Sequence, residues 1–250
     1  MAKESTISFS QEVDDFVRLS SVELFENAHR KRSNPMLPAL LPASLFRMYS
    51  MVRASVPMMK AARDKAIELG DFPPLVPFLD RLIREEEGHD QFVLDGLTAL
   101  GFDEETILST QPPPTIAELV GSQYYWIEYF HPLAIVGYIK VVELDPADEC
   151  DIVDLVEHVL HIQENCLDDL PGELGVGDAD MHQVLDYFKK HVNLEKAHND
   201  HLDDFLDDNE FNQDQKSLIM TSAARTNFML ARSLDEICRL FDTGGARGLF

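Results

Sequence analysis

The sequence YFKKHVNLEKAH, residues 187–198, decides the fold that we expect for this chain. It places His191, Glu195 and His198 at positions i, i+4 and i+7, within about 60° of one another around an ideal helix. Histidine and carboxylate side chains on one helix face are natural ligands for iron, manganese or zinc. Two histidines that bracket a glutamate at this spacing favour a metal site over a solvated helix face.

A second candidate pair lies earlier in the chain, in IREEEGHDQF at residues 83–92. Glu86 and His89 are three residues apart, about 60° around an ideal helix, so both side chains can reach one ion. Such a pair is less specific than the later triplet, because Glu-x-x-His arises often by chance in an acidic chain. We predict that both residues are metal ligands.

Glu143 completes the predicted ligand set. It ends the most apolar helical stretch of the chain, HPLAIVGYIKVVEL at residues 131–144. A carboxylate there is costly to bury unless it is paired or bound to a metal. An exposed helix end is the competing interpretation, so Glu128 and His131, another Glu-x-x-His pair, are held as reserve ligands.

Helical periodicity dominates the whole sequence, which predicts an all-α fold. Proline and glycine clusters mark the breaks between helices. We predict one helical domain over residues 1–250, with a flexible tail at 242–250. The seven predicted helices span about 9–29, 43–69, 75–100, 115–143, 147–168, 180–207 and 212–241.

Composition excludes several classes of partner. A formal net charge of −24 repels both nucleic acid and an anionic membrane surface. The three cysteines show no CxxC spacing, as expected in a reducing cytoplasm. The N-terminus has no apolar signal region, and the longest apolar run, residues 132–138, is too short to span a bilayer. We therefore expect a soluble cytoplasmic protein.

These motifs together resemble the heme-oxygenase-like di-iron oxidases and oxygenases, relatives of the thiaminase II and PQQ-synthase fold. The resemblance covers most of the chain, through EEGHDQFVLDGLTALG, GYIKVVE and YFKKHVNLEKAH. It implies a seven-helix bundle and assigns two Fe²⁺ ions to six ligands: Glu86, His89, Glu143, His191, Glu195 and His198. One departure is Glu195, where many relatives have aspartate, which keeps the charge but lengthens the reach.

The resemblance also implies an activity. Relatives use dioxygen as co-substrate and act on small amino acids or carboxylic acids in biosynthetic pathways, by N-oxygenation or by oxidative C–C cleavage or decarboxylation, including alkene and nitrile formation. The expected partners are a small-molecule substrate, an external electron donor and a second copy in a homodimer. The residues expected to bind the substrate are Lys140, Tyr138, Tyr125 and Arg53.

Two alternatives stay open at this point. A ferritin-like di-iron bundle also uses Glu-x-x-His pairs, but its first helix should supply a glutamate near Met58, and the nearest acid there is Asp64. His191 would supply the sixth ligand instead, as in the heme-oxygenase-like arrangement. The other alternative is a helical protein that binds a metal or a partner without catalysis.

Overall fold

The structure is a computed structural model that describes residues 7–19, 41–143 and 200–242. The described residues are helical and include no β-strand, which confirms the all-α prediction. The predicted helix at 147–168, most of that at 180–207 and the tail at 243–250 lie outside these ranges. The helices are α1 (9–19), α2 (Leu41–Leu69), α3 (Leu75–Glu86), α4 (His89–Ala99), α5 (Glu104–Ser109), α6 (Pro114–Tyr129), α7 (Ala134–Val142), α8 (200–208) and α9 (Gln213–Asp242).

Two predicted helices are each divided in the structure. The helix expected at 75–100 is α3 and α4, with Glu87 and Gly88 between them, and the helix expected at 115–143 is α6 and α7, divided at 130–133. Pro132 explains the second division, because proline disfavours a helical conformation in the residue before it. The short helix α5 was not predicted.

Local signals fix several helix ends. Asp103 caps α5 by accepting a hydrogen bond from the backbone N–H of Thr106, at 3.0 Å. α9 begins with a reciprocal cap in which Asn212 and Gln215 each accept the other's backbone N–H, both at 2.9 Å. Pro114 opens α6, at a position where a missing N–H costs nothing.

α7 is the centre of the bundle. Every residue from Ala134 to Val141 is buried, as expected for a helix that is apolar all round. It packs against α9 most closely at Gly137, where a Cβ would collide with the backbone of Ile219 and would lie 2.8 Å from the nitrogen of Ala223. The absence of a side chain at 137 therefore lets the two helices approach.

No described helix is long and apolar enough to cross a lipid bilayer. The predicted single domain over residues 1–250 stays a prediction.

Candidate metal centre

A sharp bend between α3 and α4 brings Glu86 and His89 together. Glu86 is the last residue of α3 and His89 the first of α4, and Gly88 between them has φ 96°. This left-handed backbone conformation favours glycine. Glu86 Oε2 lies 2.7 Å from His89 Nδ1, and both side chains are buried. The expectation of one continuous helix at this point was wrong, but the two predicted ligands meet.

Glu143 lies at the C-terminal end of α7. Its backbone N–H closes the helix with a 2.8 Å bond to the carbonyl of Ile139, and only 8% of the residue is exposed. The exposed helix end that competed with the metal interpretation is thus not what the structure shows. A carboxylate buried at the end of an apolar helix needs a hydrogen-bonding or charged partner.

Tyr138 of α7 is a buried phenol that interacts electrostatically with both of these carboxylates. Its hydroxyl is fully buried and lies 2.9 Å from the Ser55 hydroxyl on α2. Burial raises the pKa of Tyr138, the Ser55 hydrogen bond partly opposes this rise, and the charges of Glu143 and Glu86 add smaller increases. The phenol is therefore within electrostatic reach of both carboxylates. Ser55 was missed in the sequence, since its partner lies 83 residues away and no local pattern marks it.

α8 begins at the end of the bundle that carries Glu86. Phe205 stacks on Phe78 of α3 with ring centroids 4.1 Å apart, and His201 contacts Arg81. Positions on α8 thus fall as positions on α3 rise, so the two helices are antiparallel. Residue 200 consequently lies toward the end of α3 that carries Glu86.

The remaining predicted ligands, His191, Glu195 and His198, lie outside the described residues. Across 7–19, 41–143 and 200–242, no three His, Cys, Asp or Glu side chains are grouped closely enough to hold a metal ion. The structure therefore brings together the predicted pair Glu86 and His89, places Glu143 near the same buried phenol, and does not test the triplet.

Lys140, predicted to bind a substrate carboxylate, is buried in an ion-pair cluster. Its Nζ lies 2.8 Å from Asp14 on α1 and 2.6 Å from Asp203 on α8, and 2% of the residue is exposed. Burial raises the pKa of Asp14, while Lys140 lowers it. The lysine charge is already balanced inside the fold.

Two other residues predicted to bind substrate lie at the surface. Arg53 is exposed, with its guanidinium 5.4 Å from the ring centroid of Tyr49. Tyr125 is 55% exposed and contacts Tyr129 and Phe130, with ring centroids 5.0 and 5.9 Å away. Of the residues predicted to bind substrate, Tyr138 alone is shown near the Glu86 and Glu143 carboxylates.

The reserve ligands have other partners. Glu128 is exposed and faces Lys65 at 3.6 Å. Both ring nitrogens of His131 are used at the start of α7: Nδ1 accepts the backbone N–H of Leu133 at 3.1 Å, and Nε2 lies 3.0 Å from Asp71. His131 therefore ties the α6–α7 connection in place, and these contacts give no support to a metal-binding role.

The glutamate that a ferritin-like site would need near Met58 is missing from α2. Lys60 of α2 lies 3.3 Å from Glu87, which sets Met58 and its neighbours opposite the end of α3. Asp64 is exposed at the surface of α2 and pairs with Arg63 at 2.7 Å. No acid of α2 near this position is available to a site at Glu86.

Comparison with solved structures identifies the fold. The chain is similar to a domain of unknown function with a heme oxygenase-like fold from Shewanella denitrificans OS217, with a TM-score of 0.74, 19% identity and coverage of 96% of this chain and 97% of that one. It is also similar to a TenA homolog from Pseudomonas syringae pv. tomato DC3000, with a TM-score of 0.67, 12% identity and 96% of each chain covered. No protein-family model matches the sequence, and no curated protein is significantly similar to it. The chain therefore has a heme-oxygenase-like fold.

Proposed function

We propose that this protein is a non-haem di-iron oxidase or oxygenase that uses dioxygen to oxidise a small amino acid or carboxylic acid. The observation that carries the proposal is the buried pair of Glu86 and His89, with Glu143 buried near the same phenol. The proposed ligands of the two Fe²⁺ ions are Glu86, His89, Glu143, His191, Glu195 and His198.

The described residues fit this metal by their chemistry. Carboxylate oxygens and imidazole nitrogens together suit non-haem iron. A bound cation stabilises buried carboxylates, so the burial of Glu86 and Glu143 is compatible with a metal site. When bound, the two irons would supply the electrons and the binding position that activate dioxygen.

The protein's own share is positioning and exclusion of water. The bend at Gly88 sets the angle between Glu86 and His89. The buried wall of α7 excludes solvent, which strengthens electrostatic interactions inside the site. The Tyr138 phenol is neutral at pH 7, and burial moves its pKa further above neutrality, so it adds a hydrogen-bonding group without a further negative charge.

The antiparallel register of α8 on α3 supports the second half of the ligand set. His198 precedes the first described residue of α8 by two positions, and that residue lies toward the end of the bundle with Glu86.

The proposed reaction is N-oxygenation or oxidative C–C cleavage or decarboxylation, which gives an alkene or nitrile with some substrates. An external electron donor, a homodimer and a cytoplasmic location belong to the same proposal.

Anaerobic titration with ferrous iron followed by exposure to oxygen tests the proposal. We expect two equivalents to bind and a transient visible absorbance that appears faster with the correct substrate from a panel of amino and carboxylic acids. Binding of at most one equivalent, with no such absorbance across the panel, would contradict the oxygenase and favour a protein that only binds metal.

Matched variants test the ligands. His198→Ala should lose at least one iron, whereas His201→Ala, three residues further and in contact with Arg81, should keep both. Glu86→Gln should weaken iron binding, whereas Glu87→Gln, which removes a surface ion pair with Lys60, should not. Metal content by elemental analysis reads out both pairs. Two tightly bound irons in His198→Ala or Glu86→Gln would show that the assignment is wrong.

A further inference from the structure

A cleft of about 510 Å³ opens between the end of α6 and the beginning of α9, beside the turn that precedes α3. Its apolar wall includes Trp126, Phe130 and Leu218, and its polar wall includes Asp71 and Asp214. The volume is in the range of clefts that hold small organic molecules. Because Phe130 is 63% exposed, a ligand that covers its ring removes apolar surface from water, which is favourable.

Asp71 keeps its negative charge beside His131. The backbone N–H of Leu133 donates to His131 Nδ1 at 3.1 Å, so the ring proton is on Nε2 and the imidazole is neutral. Nε2 therefore donates to Asp71 Oδ2, at 3.0 Å. A neutral donor does not cancel the charge of the carboxylate, and the second oxygen, Oδ1, can accept a hydrogen bond from a ligand.

We infer that this cleft binds a small primary amine with an apolar body. A primary amine is protonated at neutral pH, and its ammonium group donates hydrogen bonds that the carboxylates of Asp71 and Asp214 accept. Aromatic rings attract cations, and tryptophan does so most strongly. Trp126 therefore favours the same ligand charge as the two aspartates do, and the apolar body of the amine lies against Phe130 and Leu218.

Hydrogen bonds hold the walls of the cleft in place. The carbonyl of Trp126 accepts the backbone N–H groups of Phe130 and His131, both at 3.0 Å. The reciprocal cap of Asn212 and Gln215 fixes the first turn of α9. A site whose walls are ordered before binding loses less conformational entropy when the ligand enters. The amine therefore meets a site that already has its shape.

The cleft is separate from the proposed metal centre. Asp71 and His131 lie before the first residues of α3 and α7, whereas Glu86 ends α3 and Glu143 follows the last residue of α7. The nine residues of α7 alone separate the two ends by about 12 Å along the helix axis. Amine binding therefore needs no iron, and it is measured in protein treated with a chelator, so that failure of one proposal leaves the other standing.

The fluorescence of Trp126, the one tryptophan of the chain, reports binding from inside the cleft. We expect phenethylamine to change this fluorescence saturably in the chelated protein, at ionic strength held constant with sodium chloride. Phenylpropionate, which has the same ring and a negative charge, should bind at least about tenfold more weakly. The trimethylated ammonium analogue, which cannot donate hydrogen bonds to Asp71, should also bind more weakly than phenethylamine.

Matched variants test the two walls. Asp71→Asn keeps an acceptor for His131 but loses the charge, and it should weaken phenethylamine binding about threefold to tenfold. Asp64→Asn removes an exposed aspartate of α2 that does not line the cleft, and it should bind as the wild type does. Trp126→Leu, measured by calorimetry, should bind more weakly than Trp126→Phe, which keeps an aromatic face.

Thermal unfolding without ligand checks that each variant is folded, and Asp71→Asn supplies the test if Trp126→Leu is not. Absence of a saturable change with phenethylamine would overturn the inference. Equal or tighter binding of phenylpropionate or of the trimethylated analogue would overturn it too, and so would equal phenethylamine affinity in the wild type and Asp71→Asn. Equal weakening in Asp64→Asn would also overturn it, because it would indicate long-range attraction of cations to a chain of net charge −24.

Discussion

Two regions of this molecule each bury a positive charge, and they treat it in opposite ways. Around Lys140, the helices α1, α7 and α8 meet, and two aspartates lie within 2.8 Å of the ammonium nitrogen. Around Arg47, between α2 and α9, one serine hydroxyl is the described partner. The cation of the first region is balanced by two carboxylates, whereas that of the second has one neutral hydrogen-bond partner among the described residues.

The difference separates a charge that is balanced by ion pairs from one that is held by a single neutral hydrogen bond. Sequence reasoning assigned the substrate carboxylate to Lys140, because a lysine one turn before a predicted ligand looked well placed. The structure shows instead that Lys140 holds α7 to α1 and α8. Arg47 stands in the apolar sequence LFRMY, which matches no motif. The sequence signal for its burial was a single basic residue among apolar residues of one helix.

Replacing Lys140 should lower the free energy of unfolding more than any other mutation considered for this comparison. Lys140→Met leaves Asp14 and Asp203 facing each other without a cation, and we expect a loss of about 2–3 kcal/mol in the free energy of unfolding measured by urea. Both aspartates are partly exposed to solvent, which screens their charges, so we expect a loss below that usually seen when a fully buried ion pair is broken. Arg47→Met is the comparison and should lose little or nothing. Equal losses in the two variants would contradict the distinction between the regions.

The Lys140→Met loss should also depend on pH. Burial already raises the pKa of Asp14 and Lys140 opposes that rise, so removing the lysine raises the pKa further. A group whose pKa is raised on folding contributes stability below its unfolded pKa and loses that contribution as the pH rises through the folded pKa. The deficit of the variant should therefore shrink as the pH is lowered into the acidic range.

A smaller effect is expected where α7 packs on α9. Gly137→Ala places a Cβ against the backbone of Ile219 and Ala223, which cannot move as a flexible side chain does. We expect a loss of about 1–2 kcal/mol, since overpacking outweighs the gain in helix propensity. Gly121→Ala on α6, whose Cβ would meet nothing within 4 Å, should be neutral or slightly stabilising. Thermal unfolding of the pair measures this, and similar melting temperatures would argue against the close approach.

The smallest change in stability is expected at the contact between α1 and α8. Asp207 of α8 accepts hydrogen bonds from the backbone N–H and the hydroxyl of Ser10, at 2.8 and 2.7 Å. Burial raises the pKa of Asp207, but the hydrogen bonds from Ser10 and its neighbours outweigh this and lower it overall. Its stabilisation is therefore present above the unfolded pKa near 4 and is lost as the pH falls through the lower folded pKa.

Asp207→Asn should accordingly cost about 0.5 kcal/mol at neutral pH, because the carboxylate is exposed. The cost should vanish in acid. Asp208→Asn, also exposed, is the control and should show no such pH dependence. Urea unfolding across a pH series compares the two variants. A difference in unfolding free energy that stays constant at all pH values would contradict the stabilising role of the Asp207–Ser10 hydrogen bonds.

Much of the fold could be predicted because helical periodicity and proline or glycine breaks are local. The all-α class, the apolar α7 and the pairing of Glu86 with His89 came from residues a few positions apart. The bend at Gly88 was not predicted, because a single glycine between helix-forming residues does not by itself end a helix. The bend follows from the left-handed φ of 96° at Gly88. The surface position of Tyr125 was missed as well, because an aromatic residue at helical spacing is usually buried.

Local spacing predicted which side chains of the described helices share a face, and composition set the acidic balance of the chain. Which charges are paired depends on how distant helices pack. Lys140 and Asp203 are 63 residues apart, Ser55 and Tyr138 are 83 apart, and Arg47 and Ser233 are 186 apart. The physical reason is that a helix sets the positions of neighbours within one or two turns, whereas burial and pairing of charges arise when distant helices pack.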